Sequence, residues 1–357
     1  MASKHAPLTL AGLLTASLVT AGLAGLSPAA AKPSPAAGMA AASPTVAAAS
    51  TAKAYWTSNR MRGARSLDTA VSAAQARTLA QAAATVARGT PGRSAPQAAT
   101  AKAGTAQVGS AQAGSAQVAR NTLKSGPGFG ATAAGWYGAP TSPPATTSGR
   151  IFFTGNDGLG YSCSGSTVNS SGKNLVFTAG HCVHPGGTGT WFSNWVFVPR
   201  YTNGSAPYGT WSSRQLWSWT LWTQNGNRAY DIGVAVMNTL GGQHIVNIVG
   251  GQGLEWNYPL EQYVYQFGYP ARSPFNGGTL QYCSGWTYND GGNEGINCNM
   301  TEGASGGPWL ARFGGTFGYL DSVNSWVFWD GNGVRYKWNG PYFGNDARDL
   351  YNTTANL

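Results

Sequence analysis

The stretch Leu175-Val-Phe-Thr-Ala-Gly-His-Cys182 combines a short strand with two chemically distinctive residues at its end. Leu, Val and Phe beside Thr are typical of a buried strand. This strand places His181 at its end, and Cys182 follows at once. Because imidazole is the usual general base near neutral pH, a histidine fixed in this way is a candidate catalytic residue.

The four cysteines of the chain, Cys163, Cys182, Cys283 and Cys298, all lie beyond residue 126. The N-terminus, residues 1–31, has the features of a secretory signal peptide, and an even number of cysteines in an exported chain indicates two disulfides. Of the three possible pairings, local spacing favours Cys163–Cys182 and Cys283–Cys298. The first bridge would hold His181 rigidly.

A second motif, Gly303-Ala-Ser-Gly-Gly-Pro308, surrounds a serine with glycines. A sharp turn there suits a nucleophile, and the N–H groups of Gly303 and Ser305 can form an oxyanion hole. The motif also fits the nucleophile turn of α/β-hydrolases, in which the histidine follows the serine. Since the last histidine in this chain is His244, the order of residues argues against that fold.

The acidic partner is predicted to be Asp231, which opens the apolar run Tyr230-Asp-Ile-Gly-Val-Ala-Val236. A carboxylate at the start of a buried strand is costly unless it accepts hydrogen bonds, and orienting an imidazole would satisfy it. The order Asp–His–Ser would instead require Asp157, which lies in an Asn-Asp-Gly turn. Other acids between His181 and Ser305 open no comparable strand: Glu255, Glu261, Asp290, Glu294 and Glu302.

Thr178-Ala-Gly-His-Cys182, Asp231-Ile-Gly-Val and Gly303-x-Ser-Gly-Gly-Pro308 together resemble the three motifs of chymotrypsin-like serine peptidases. The bacterial secreted branch near the glutamyl endopeptidases is the most similar. The resemblance covers about residues 150–357 and implies two six-stranded antiparallel barrels with the active site in the cleft between them. It implies that Ser305 attacks, His181 shuttles the proton and Asp231 fixes the imidazole tautomer.

The resemblance also implies where a substrate is held. It places Asn299, followed by Met300, at the base of the pocket for the substrate side chain, and it likens Ser325-Trp326 to the edge strand that binds substrate backbone. The family's acidic residue for selecting Lys or Arg is absent at Asn299, and no histidine follows Ser305 to select Glu. We therefore expect only a modest preference for uncharged side chains at the cleaved bond.

A zinc site at His181, Cys182 and His184 is the main alternative use of these residues. Adjacent positions rarely serve one tetrahedral site, and the sequence offers no second ligand cluster. We therefore expect no metal and no cofactor, and we interpret His184 as a surface loop residue.

From Arg150 onward, short apolar runs alternate with Gly, Asn, Ser and Pro, which predicts an all-β fold. A short C-terminal helix is predicted at 346–351. Arg150-Ile-Phe-Phe resembles an activation cleavage site, but it lies so close to Cys163 that we interpret it as the first barrel strand. The predicted strands cover 151–154, 175–178, 195–198, 232–236 and 263–267.

The N-terminal third differs in composition from the rest of the chain. Residues 1–31 have the charged start, apolar run and small-residue end of a secretory signal peptide. Residues 32–125 form a low-complexity pro-region rich in Ala, Ser, Gln and Gly, with a helix candidate at 66–87, and residues 126–149 form a flexible joint. Residues 150–357 are the predicted serine peptidase domain.

The formal net charge of +10 comes from the N-terminal third. Residues 1–125 hold twelve of the 22 Lys and Arg and a single acid, whereas residues 126–357 have a net charge of −1. The predicted domain thus lacks the basic surface that nucleic-acid binding requires. We expect a secreted, extracellular monomer that acts on protein or peptide substrates, without nucleic acid and without a membrane after signal removal.

Overall fold

The computed structural model describes residues 38–67, 70–71, 88–101, 132–329 and 335–357. The predicted signal peptide and part of the predicted pro-region, including most of its helix candidate, lie outside these residues. None of the described helices is long and apolar enough to cross a membrane.

The described part of the chain is mostly β-structure. Its helices are α1 (Val46–Tyr55), α2 (Ser58–Gly63), α3 (Thr220–Thr223), α4 (Ile245–Val249) and α5 (Asn345–Thr354). Its strands are β1 (Met39–Ala42), β2 (Arg65–Ser66), β3 (Ala70–Val71), β4 (Gly92–Ser94), β5 (Ala134–Gly135), β6 (Ser148–Thr154), β7 (Gly160–Val168), β8 (Leu175–Thr178), β9 (Ser193–Pro199), β10 (Trp211–Trp219), β11 (Gly233–Met237), β12 (Gly253–Trp256), β13 (Tyr263–Gly268), β14 (Gln281–Trp286), β15 (Tyr288–Asp290), β16 (Asn293–Asn297), β17 (Pro308–Ala311), β18 (Tyr319–Val323), β19 (Trp326–Trp329) and β20 (Arg335–Gly340).

Six strands close into an antiparallel barrel in the order β6-β7-β8-β11-β10-β9, and β9 pairs again with β6. The predicted apolar runs all lie in or overlap strands, namely β6, β8, β9, β11 and β13. Fully buried side chains fill the barrel, among them Phe152, Val176 and Val196. Each such side chain stabilises the fold by about 1.5–3 kcal/mol relative to an exposed position.

The first barrel strand begins at Ser148, three residues before the predicted strand at 151–154, so the end of the predicted joint belongs to the barrel. Arg150 on this strand is buried rather than exposed for cleavage. Its guanidinium donates to the Gly277 carbonyl at 3.0 Å and to Ser162 Oγ at 2.8 Å. These contacts support the interpretation of Arg150 as a barrel residue.

The C-terminal half consists of two sheets around a second core, with orders β4-β12-β18-β17-β13-β14-β5 and β15-β16-β20-β19-β3. Cys283 on β14 forms a disulfide with Cys298, which follows β16, so this bridge joins the two sheets. The pairing predicted from spacing is confirmed. The predicted C-terminal helix is also confirmed and extends over Asn345–Thr354.

The described residues between 38 and 101, here called the N-terminal segment, pack against both halves of the domain. Strand β1 pairs with β10, β4 pairs with β12, and the two-residue strand β3 pairs with β19. Trp56 is 4% exposed, lies 5.3 Å from the ring of Phe152, and donates from Nε1 to the Asn194 carbonyl at 2.6 Å. Although the composition gave no sign of packing here, single large side chains anchor this segment.

Two carboxyl groups, Glu294 on β16 and Asp321 on β18, are buried and interact with each other in the C-terminal half. Burial and the neighbouring acids raise the pKa of Glu294 well above its usual range, and burial and Glu255 do the same for the pKa of Asp321. Gln262 Nε2 donates to Asp321 at 2.8 Å. The folded state therefore favours the protonated form of this pair.

We expect this pair to make the protein less stable as the pH rises. A carboxyl with a raised pKa in the folded state contributes stability below its unfolded pKa, and that contribution is lost as the pH passes through the raised value. Glu294→Gln should therefore reduce the fall in Tm between pH 5 and pH 9, measured by thermal unfolding. Glu261→Gln, at an exposed acid, is the control, and an unchanged pH dependence in the Glu294 variant would contradict the assignment.

Candidate active site

His181 lies in a short 3-10 turn, Gly180–Cys182, immediately after β8. The disulfide between Cys163 and Cys182 ties this turn to β7, with an S–S distance of 2.05 Å. The Cys182 carbonyl accepts a hydrogen bond from Trp195 Nε1 at 2.9 Å. The predicted bridge is thus confirmed, and it holds the histidine turn from two sides.

Asp231 lies between a 3-10 turn, Arg228–Tyr230, and strand β11, and it is completely buried. Its Oδ1 accepts from the His181 backbone N–H at 2.7 Å, and its Oδ2 lies 2.8 Å from His181 Nδ1. Ser325 Oγ also donates to Oδ2. These contacts fix the ring, because Nδ1 must carry the proton that Asp231 accepts.

The charge of Asp231 is stabilised despite its burial. Burial alone raises the pKa of this carboxyl, but the attraction and hydrogen bond of His181, the charge of Arg228 and the hydrogen bond of Ser325 outweigh it. The net result is a pKa below the usual range, so Asp231 remains ionised at neutral pH.

Ser305 lies in a turn in which two positions require glycine. Gly303 has φ +99° and Gly306 has φ +75°, and a Cβ on Gly306 would lie 2.0 Å from Thr178 Oγ1. The Ser305 carbonyl accepts from the Ser164 N–H at 2.7 Å, and the Gly306 N–H donates to the Asn324 carbonyl at 2.7 Å. Both halves of the domain therefore hold the serine turn.

Several polar groups of this site have no hydrogen-bond partner within the described residues. His181 Nε2 and Ser305 Oγ are both buried and unpaired. The N–H groups of Gly303 and Ser305 also donate to no described atom, while the Gly303 carbonyl accepts from Ser164 Oγ at 2.9 Å. The two N–H groups remain able to bind a reacting carbonyl oxygen and its developing charge.

Two solved structures match nearly their whole length to this chain. Protease Anisep from Arthrobacter nicotinovorans is 43% identical, with 61% of this chain and 99% of that chain covered and a TM-score of 0.56. The thermostable serine protease AL20 from an extremophilic microorganism is 36% identical, with 59% and 97% covered and a TM-score of 0.56. This chain belongs to the chymotrypsin-like serine proteases. It is therefore a hydrolase with the predicted two-barrel fold.

Other comparisons concern the fold or a short part of the chain. A Glu endopeptidase structure is 18% identical over 64% of this chain and 98% of its own, with a TM-score of 0.51, so it shares the fold alone. An extracellular metalloprotease of Bacillus subtilis (strain 168) is 38% identical over 78 residues, or 22% of this chain. That match spans about a quarter of the relative, 24% of its length. No protein-family model matches the chain.

The two residues predicted at the base of the specificity pocket of this serine protease have different environments. Asn299 is partly exposed, and its Oδ1 accepts from the Ala133 N–H at 2.7 Å. Met300 is fully buried in the second core, and its carbonyl accepts from Trp338 Nε1 at 2.9 Å. The Met300 side chain thus serves the core, and the predicted pocket role rests on Asn299.

Ser325 and Trp326, predicted to lie on the substrate-binding edge of the protease, are at the start of β19. Ser325 additionally contacts Asp231, a role that the sequence did not indicate. The edge of β19 opposite β20 is occupied by β3, which pairs in parallel with Val327 and Phe328. The N-terminal segment therefore occupies the edge that the sequence predicts to bind substrate backbone.

The sequence interpretation missed Ser164 and misplaced His184. Ser164 Oγ donates to the Gly303 carbonyl and accepts from the Tyr269 N–H, each at 2.9 Å. Ser164 could have been identified from its position next to Cys163. The predicted disulfide from Cys163 places this strand beside the histidine turn, and the same strand contacts the serine turn through Ser164. His184 is 4% exposed, not a surface residue, because its ring packs against Trp191.

A cluster of potential metal ligands, Cys163, His181 and Cys182, lies at the histidine turn. Both sulfurs are joined in the disulfide, so neither provides a thiolate. His181 Nδ1 is engaged by Asp231. The donor set therefore does not suit a tetrahedral zinc ion.

Proposed function

We propose that this protein is a secreted serine endopeptidase in which His181, Asp231 and Ser305 form the catalytic triad. The observation that carries the proposal is the pair of hydrogen bonds, 2.7 and 2.8 Å, by which buried Asp231 orients His181. The serine turn, with its two unpaired N–H groups, supports the same assignment. Two disulfides and the signal-like N-terminus support an extracellular location.

In the proposed reaction, His181 Nε2 accepts the proton of Ser305 Oγ as this oxygen attacks the substrate carbonyl carbon. The negative charge that develops on the carbonyl oxygen is held by the N–H groups of Gly303 and Ser305. His181 then protonates the leaving amine, which leaves an acyl-enzyme on Ser305. Water, deprotonated by His181, hydrolyses this ester and restores the serine.

The experiment that tests this function is labelling with a fluorophosphonate, which reacts with activated serines. Labelling at Ser305 would exclude a non-catalytic binding protein on the same fold. A comparison of peptide and simple ester substrates would then separate an endopeptidase from an esterase. Absence of labelling in the processed protein would contradict the proposal.

We expect the full chain to be inactive until residues 32 to roughly 125 are removed. Ser305 is 1% exposed and His181 is 5% exposed, and β3 occupies the edge of β19 at which we expect the substrate backbone to bind. N-terminal sequencing and activity measurement over the same time course would test this. Full-length protein that turns over substrate as fast as the processed form would refute it.

Trp56→Ala offers a sharper test of the same idea. Loss of a buried tryptophan typically costs about 3–5 kcal/mol, so the N-terminal segment should dissociate more readily and activation should be at least about tenfold faster. Val46→Ala, at a position that is 87% exposed on the same segment, is the control. The activity of the fully processed variants should equal that of the wild type, because neither residue remains.

A further inference from the structure

Arg228 has a cationic group beside the proposed triad that the mechanism does not use. It begins the 3-10 turn that leads into Asp231, and its Cζ lies 5.9 Å from the ring centre of Trp326. Its Nη1 is buried and has no hydrogen-bond partner within the described residues. Nε1 of Trp326 is likewise buried and unpaired, so two unused donors lie near each other.

Three other arginines of the domain each donate to at least one acceptor. Arg150 donates to Gly277 and Ser162, Arg312 donates to Glu255 at 3.0 Å, and Arg272 donates to Glu302 at 3.1 Å. A buried donor without an acceptor costs roughly 1–3 kcal/mol, and more when it is charged. A hydrogen-bond acceptor on a bound molecule would remove this cost at Arg228.

Asp231 does not supply that partner. It attracts Arg228 electrostatically, but its oxygens already accept from the His181 N–H, His181 Nδ1 and Ser325 Oγ. Within the described residues, Arg228 forms no ion pair with it. Arg228 therefore lies close to the triad with hydrogen-bonding capacity left over.

We propose that Arg228 and Trp326 form a subsite that binds an acidic side chain of the substrate. The subsite lies beside the substrate backbone, because Trp326 opens β19, the strand whose edge resembles the one that binds substrate backbone. A guanidinium and an indole N–H are both donors, and a carboxylate presents two acceptor oxygens to them. This inference rests on the proposed function, since it assigns a substrate preference to the same site.

Peptide pairs that differ by a single Glu or Gln, placed at the second, third or fourth residue on either side of the cleaved bond, would test the subsite. The residue at the bond itself is uncharged in every peptide. Binding is measured by titration calorimetry on the Ser305→Ala protein, from which the N-terminal segment has been removed by limited trypsin cleavage within residues 120–124. The ratio kcat/KM is measured on the active enzyme. At one position we expect the Glu peptide to bind and react at least about tenfold better, as charge-assisted hydrogen bonds require.

The Glu-to-Gln ratio should fall to near one in Arg228→Gln and stay above one in Arg228→Lys, which keeps the charge. Arg214→Gln, an exposed arginine on β10, should leave the ratio unchanged. A Glu-to-Gln ratio near one in the wild type would overturn the subsite. An unchanged ratio in Arg228→Gln, with kcat/KM lowered equally for all peptides, would also overturn it. If no peptide is cleaved, the proposed function fails, and the binding ratio on the Ser305→Ala protein still decides the subsite.

Discussion

Ser305→Ala should reduce kcat by on the order of 10⁶, the scale of loss expected when a triad nucleophile is removed. Alanine keeps the Cβ and therefore preserves the turn between Gly303 and Gly306, but no atom remains to form the acyl-enzyme. The oxyanion-hole donors stay in place and would account for residual activity. Steady-state kinetics on an uncharged peptide measures the effect.

The control for this variant is Ser193→Ala, at an exposed serine on β9, which should retain wild-type kcat. Circular dichroism and thermal unfolding should show that both variants fold as the wild type does. A Ser305→Ala protein that keeps more than about a hundredth of wild-type activity would sink the assignment of the nucleophile.

Asp231→Asn should lower kcat by on the order of 10⁴, the size of loss produced by the same change in a studied member of this family. Three donors converge on the two carboxylate oxygens of Asp231, and an asparagine can accept only on one. Its amide N–H₂ would face His181 Nδ1 or Ser325, so the imidazole proton would move to Nε2. In that tautomer His181 cannot take the proton of Ser305.

Proton NMR provides a readout beyond activity, because the Nδ1–H signal of His181 should disappear in the asparagine variant. Asp157→Asn is the matched control. Asp157 accepts from the Leu159 N–H and Tyr161 Oη in an exposed turn, as the sequence suggested, and its change should alter kcat less than about twofold. A large loss in the Asp157 variant would instead favour the alternative order of catalytic residues.

Much of the site follows from the sequence because its parts are local. The strand before Thr-Ala-Gly-His-Cys can be predicted locally, because strand propensity depends on a few neighbouring residues. The turn around the serine can also be predicted locally, because the flanking glycines permit a positive φ. Cysteines 19 and 15 positions apart likewise favoured the local pairs that form. The order of His181, Asp231 and Ser305 then selected one fold among those that use a triad.

The sequence by itself determined the all-β architecture, the two disulfides and the three residues of the candidate triad. Only the tertiary structure decided that Ser325 binds Asp231, that Ser164 holds the serine turn, that Met300 belongs to the core and that Arg228 lies beside Trp326. Three of these contacts join residues that are far apart in the chain. Ser325 and Asp231 are 94 positions apart, Ser164 and Gly303 are 139 apart, and Arg228 and Trp326 are 98 apart. A contact of this kind depends on how two sheets pack, and no local pattern of residues encodes it.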